Sequence, residues 1–132
     1  MAADNSSRGE RVILLAHGSR DAGWARPFEA VLREFRERFP RREVDLAFLQ
    51  FMSPDLPSAL GAAWRQGALQ VRVVPLFLGS GRHLHGDLAD IVRSAESTFD
   101  GLRISTAEPA GVNLRVIRAL ADFAGSYCTL EC

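Results

Sequence analysis

The sequence contains no lysine: all sixteen of its basic residues are arginine. That excludes Schiff-base chemistry on an ε-amine and leaves no lysine to complete a Walker-type phosphate loop. Sixteen acidic residues balance the arginines to a formal net charge of zero, which removes any general pull toward nucleic acid or an anionic membrane. Attraction to an anion must therefore be local. Cysteine is scarce too. Cys128 and Cys132 both fall in the last five residues, at a spacing that fits neither a C-x-x-C pair nor a four-ligand zinc pattern, and they read as an inert tail. No apolar run reaches the ~18 residues of a membrane span, and the opening "MAADNSSRGE" has no apolar segment to act as a signal peptide. A cytoplasmic protein without nucleic-acid or membrane partners is expected.

What the chain does contain is the balance of an ordinary globular domain, with 132 residues, 47% of them hydrophobic and 24% charged. Residues 1–10 read as a disordered leader, 11–124 as a single domain and 125–132 as a C-terminal tail. Continuous apolar runs mark buried strands: "RVILLAH" ending at His17, "EVDLAFLQF", "QVRVVPLFL", and a shorter "LRISTAEP". Helical spacing separates them. Phe28, Val31, Leu32, Phe35 and Phe39 share one face from Trp24 to Phe39, with Pro27 in the first turn. Ser53 and Pro54 read as N-cap and first residue of a second helix ending near Gly67. Leu84, Leu88, Ile91, Val92 and Ala95 set a third stripe, and Val116, Ile117, Leu120, Ala121 and Ala124 a fourth. Strict βαβαβαβα alternation implies an α/β fold: a four-stranded parallel sheet with right-handed crossovers and helices on both faces.

In such a sheet, ligands bind beyond the carboxyl ends of the strands, where the strand order reverses. His17, Gln50, the segment Gly79 to His85, and Glu108 all fall at those ends. With the flavodoxin-like order 2-1-3-4, the loops carrying His17 and His83 open from adjacent strands. Neutral imidazoles suit iron, cobalt, nickel, copper or zinc rather than magnesium or calcium. If the segment after Gly81 is already helical, His83 and Asp87 share a face and His85 points away; in an extended turn His83 and His85 share a side instead. Asp87 fits two roles, orienting His83 through its second ring nitrogen or simply favouring the helix N-terminus. The glycines Gly79, Gly81 and Gly86 do not form a dinucleotide fingerprint, and suit the close approach of a flat ligand to the backbone. A histidine phosphatase would need an arginine before the "HG" pair, where this chain has Ala16.

These stretches, "LLAHGSRD", "FLQFMSPDLPSAL" and "VVPLFLGSGRHLHGDLADI", together resemble the small form of the sirohydrochlorin chelatases, the CbiX and SirB family. The resemblance runs from about Val12 to Phe123. It implies a single chelatase half-domain that inserts a divalent metal, cobalt first and iron or nickel next, into sirohydrochlorin or a related tetrapyrrole. It implies no ATP and no cofactor beyond the metal substrate. It makes His17 and His83 the metal-handling and catalytic histidines, with Asp87 in its motif position as a supporting residue; His85 is extra to the family pattern and an additional candidate ligand. Where the family often has a glutamate at the end of the second strand, this chain has Gln50, which cannot take up a proton at neutral pH. A binding or carrier protein without turnover is the alternative reading. Arg20 and Arg82 are the local cations suited to the substrate's carboxylates, and Gln50 and Gly81 complete the substrate contacts. Longer members of the family place two such halves around one cleft, so this chain is expected to form a homodimer. Phe48, Phe51, Met52 and Phe77 are candidates for the contact or for stacking on the ring.

Overall fold

A computed structural model describes residues 9–79 and 81–128. Four strands, β1 (Glu10–Ala16), β2 (Glu43–Phe48), β3 (Gln70–Pro75) and β4 (Arg103–Thr106), form one sheet in the order β2-β1-β3-β4. Every pairing is parallel, and at the top of the sheet Ala16 lies opposite Phe48 and Leu15 opposite Pro75. The expected topology is the observed one. Between the strands run α1 (Arg26–Arg38), α2 (Leu56–Arg65) and α3 (Arg82–Thr98), with α4 (Leu114–Gly125) after β4.

Strand parity divides the apolar side chains between two layers. Ile13, Leu15, Ala47, Val71 and Val73 face α2 and α3, packing with Leu56, Leu60, Leu88 and Ala95 in the larger core. Ala16 and Phe48 point the other way, against Trp24 and Phe28 at the start of α1. α4 is the exception to this layering. It has no buried residue, and it packs chiefly on the short 3-10 turn Ala110–Val112. On the α1 face, β3 and β4 present Arg72, Arg103 and Ser105, all exposed, which offer an apolar helix no bed.

A helix start explains one difference from the sequence reading. α2 starts at Leu56 rather than Pro54: Asp55 is the N-cap, its carboxylate accepting the Ser58 N–H at 2.9 Å, and Pro57 is the proline of the first turn. The chain offers two cap-and-proline signals in a row. The first is lost because Pro54 and Asp55 extend beside β2, where the Pro54 carbonyl accepts the Phe48 N–H at 2.9 Å and Asp55 bridges Phe48. The far end of α2 follows the expectation, with Gly67 left-handed at φ 96°. There the Gly67 and Ala68 N–H groups bond back to the carbonyls of Trp64 and Ala63.

The strands are also shorter than the apolar runs. β1 ends at Ala16, β2 at Phe48 and β3 at Pro75, so His17, Gln50 and Leu76 to Leu78 belong to the loops beyond. Phe77 continues the core from the loop and is 8% exposed, which is why periodicity alone counted it as strand. Residues 1–8 and 129–132, and with them most of the leader and Cys132, lie outside the described residues; Glu10 opens β1 and Gly125 closes α4.

Candidate metal and tetrapyrrole site

The carboxyl ends of β1 and β2 are clamped together by backbone. The Gln50 N–H donates to the His17 carbonyl at 3.0 Å, and the Leu49 N–H to the Ala16 carbonyl at 3.0 Å. Gly18, left-handed at φ 92°, lies so close that a Cβ there would sit 1.8 Å from the Gln50 carbonyl oxygen. Only glycine fits that contact, and it fixes His17 beside Gln50. The imidazole is half-buried, its ring centroid 4.6 Å from that of Phe77.

His17 and Gln50 open into a crevice of about 560 Å³, closed on the far side by Leu84, Asp87, Asp90 and Ile91 of α3. Asp90 and Ile91 were not candidates from the sequence. The signal was available, since Asp87 and Asp90 are three apart on a helix, but the carboxylate of Asp90 is already engaged by Arg93.

α3 begins at Arg82 with Gly81 as N-cap, and the His85 N–H donates to the Gly81 carbonyl at 3.1 Å. The helical alternative is therefore the one adopted. His83 and Asp87 share a face one turn apart, while His85 turns toward β4 and lines a separate small apolar cavity with Pro75, Phe77 and Pro109. Arg82 and His83 are exposed and have no side-chain partner among the described residues. A Cβ added at Gly79, Gly81 or Gly86 would meet nothing within 4 Å among the described residues, so their packing does not require glycine at any of the three. Glu108, at the end of β4, accepts a hydrogen bond from Asn113 at 3.0 Å.

The structure thus brings His17, Gln50 and Asp87 to one crevice, leaves His83 outside its lining one helical turn before Asp87, and sends His85 to a separate cavity. Among the described residues, no three His, Cys, Asp or Glu side chains gather as a metal site. Of the four apolar candidates, Phe48 and Phe77 are core residues and Met52 is half-buried, whereas Phe51 is 56% exposed. Arg20 lies over its ring, 4.7 Å from the centroid.

The profile of one protein family, CbiX, matches residues 11–125. The chain belongs to the CbiX family. It is 30% identical over 111 residues to the chloroplastic sirohydrochlorin ferrochelatase of Arabidopsis thaliana, covering 84% of this chain and 49% of that one. It is 27% identical over 120 residues to the sirohydrochlorin cobaltochelatase of Sulfolobus acidocaldarius, covering 91% and 94%. Several curated relatives that it matches, those of Arabidopsis and Bacillus subtilis among them, are about twice its length. Among solved structures, a cobalamin-biosynthesis CbiX protein from Marinobacter aquaeolei VT8 superposes with a TM-score of 0.80 at 36% identity, covering 89% of this chain and 95% of the other. The fold is shared as well with the sirohydrochlorin chelatase SirB of Bacillus subtilis subspecies spizizenii, solved with cobalt, at a TM-score of 0.77 and 24% identity over 50% of that chain.

Proposed function

We propose that this protein inserts a divalent metal ion into sirohydrochlorin or a closely related tetrapyrrole, without ATP, with cobalt as the first candidate and iron or nickel next. The observation that carries the reading is the placement of His17 and Asp87 on opposite walls of one crevice, with His83 one turn before Asp87 on the same helix face, in a chain of the CbiX family. Metal insertion requires the ion to shed water, sit on one side of the ring and displace two pyrrole N–H protons. Imidazole serves both stages, as a neutral ligand and then as a proton acceptor near neutral pH. His17 is held firm by the Gly18 contact and the Phe77 ring. His83, at the exposed first turn of α3, is free to meet the metal with the ring in place, and Asp87 one turn on supports it. Arg82 offers a bidentate contact to a ring carboxylate. The unneeded glycines at 79, 81 and 86 leave backbone open to a flat ligand.

A crevice of this size covers a tetrapyrrole only in part, and we place the other half of the site in a second copy of the chain. Support comes from α4: Leu114, Ile117, Leu120 and Phe123 are each 44–64% exposed, in a chain half as long as several relatives. Sedimentation is expected to give twice the 14.5 kDa chain mass, with one ring bound per dimer.

Purified protein mixed with sirohydrochlorin and Co²⁺ should change the absorbance spectrum faster than the uncatalysed reaction. Gln50 gives the carrier alternative its one foothold, because an amide accepts no proton at neutral pH. Binding of ring and metal without rate above background would establish the carrier. Under the chelatase reading, Gln50→Glu raises turnover or moves its pH optimum.

A further inference from the structure

The backbone at Phe51 does something that a bulky side chain normally avoids. Its φ is 65°, and it is the only residue other than glycine with a positive φ among the described residues. The Met52 N–H donates to the Gln50 carbonyl at 2.8 Å, so Phe51 is the centre of a tight three-residue turn in the strained, left-handed sense. Strain of this kind usually has a return in packing. Here it has none: the Phe51 ring is 56% exposed and belongs to neither core cluster. Glycine at the same position would hold the turn without strain. The fold therefore holds an aromatic ring out of the core at a position where the turn itself asks for glycine.

The ring's surroundings indicate what it is for. The Arg20 guanidinium, from the loop after β1, stacks on it and has no carboxylate partner among the described residues. The pair lines a hollow of about 390 Å³ together with Ser19, Met52 and Ser53, and with Glu29 of α1 as its one carboxylate. Gln50, the adjacent residue in the turn, lines the histidine crevice instead. One turn thus borders both hollows, Gln50 on the histidine crevice and Phe51 on the other.

We infer that Phe51 and Arg20 form a second, strain-held binding platform for the macrocycle, Phe51 by contact with the ring's apolar rim and Arg20 by pairing with a peripheral carboxylate. An exposed aromatic face and a guanidinium already oriented by stacking match a flat, conjugated, polyacidic ligand, and neither group can carry out proton or metal transfer there. The pair positions substrate and is not catalytic. This inference rests on the tetrapyrrole reading above, and it makes a claim of its own about stability. Because glycine relieves the turn, Phe51→Gly should melt above Phe51→Ala, although both lack the ring.

The test is an absorbance titration of the full chain with sirohydrochlorin, followed by metal-insertion kinetics and thermal melts. Phe51→Gly and Arg20→Ala are each expected to weaken ring binding by about tenfold and to raise KM with kcat nearly unchanged. With the carboxylates of the ring esterified, the Arg20→Ala loss should vanish while the Phe51→Gly loss remains. If the parent binds the ring and both variants bind it within about twofold of the parent, the platform is overturned and the chelatase reading stands. If the parent binds no tetrapyrrole, both fall. Arg20 lies on the surface, so its variant keeps the test decisive even if substitution at Phe51 disturbs the turn.

Discussion

The two ends of the sheet are built to opposite rules. At the amino end, charges are paired. Arg11 bonds Asp45 at 2.7 Å and lies 3.7 Å from Glu43, and Glu10 receives Arg72 at 2.7 Å and Arg42 at 3.4 Å. At the carboxyl end, Arg82 and His83 stand without side-chain partners among the described residues, Gly18 is held against Gln50, and Phe51 is strained. A cleft of about 370 Å³ exists at the amino end too, lined by Gln70, Arg72, Glu96 and Arg103 among others, but no histidine reaches it. Hollow space alone therefore does not identify a site. A histidine at a strand end beside a position that only glycine can fill, and a strained aromatic in the next loop, occur together at the carboxyl end and do.

The strongest way to break this contrast is to disturb the clamp. Gly18→Ala would force a Cβ to within 1.8 Å of the Gln50 carbonyl at a φ that alanine avoids, at a cost of at least about 3 kcal/mol. Chemical denaturation should show the loss, and a variant as stable as the parent would mean that the β1 and β2 loops are not locked together. Removing a group that the carboxyl end holds ready should instead cost function. His17→Ala is expected to lower metal insertion about 100-fold while lowering the melting temperature by only about 3 °C for the lost Phe77 contact. Equal losses of rate and fold would make His17 a structural residue.

At the amino end the expectation reverses. Arg11→Ala should destabilise by about 1 kcal/mol, the scale of a partly exposed ion pair, and leave the insertion rate untouched. A rate effect there would blur the division between the two ends. The smallest effect concerns Asp55, where the Ser58 hydroxyl and then the Ser58 N–H hold the carboxyl below its ordinary value. A carboxyl depressed in the folded state adds stability that is complete above its unfolded pKa and is lost as pH falls through the folded one. Asp55→Asn retains a capping oxygen, so stability near pH 7 should move by less than about 0.5 kcal/mol, and the acid-side decline should become shallower. An unchanged acid profile would show that the cap does not contribute to it.

Some of the molecule could be read directly from the chain. Element order, the parallel sheet and the α2 terminus at Gly67 follow from apolar periodicity and a glycine signal, which are local properties. The start of α2 could not be read so easily, because two cap-and-proline signals stand in a row and a bond from Phe48, six residues upstream of Pro54, chooses between them. Sequence likewise named His17, Gln50, His83 and Asp87 but left the role of His85 open. The helix start at Arg82 settled its direction, because rotation about a helix axis decides which side chains share a face.

By itself, then, the sequence determined the order and kind of the elements, through the spacing of apolar residues, and the chemistry on offer, through its histidines, arginines and missing lysine. Only the tertiary structure decided which of those groups meet. The strand order sets β1 between β2 and β3 and so carries Gln50 to His17, and the Gly18 contact seals that meeting. α4, which no further strand follows, stays off the sheet, because Arg72, Arg103 and Ser105 face the place where it would lie. The strain at Phe51 is of the same kind: no residue-by-residue preference puts phenylalanine at φ 65°, and only the bonds that close the β2 loop against β1 hold it there.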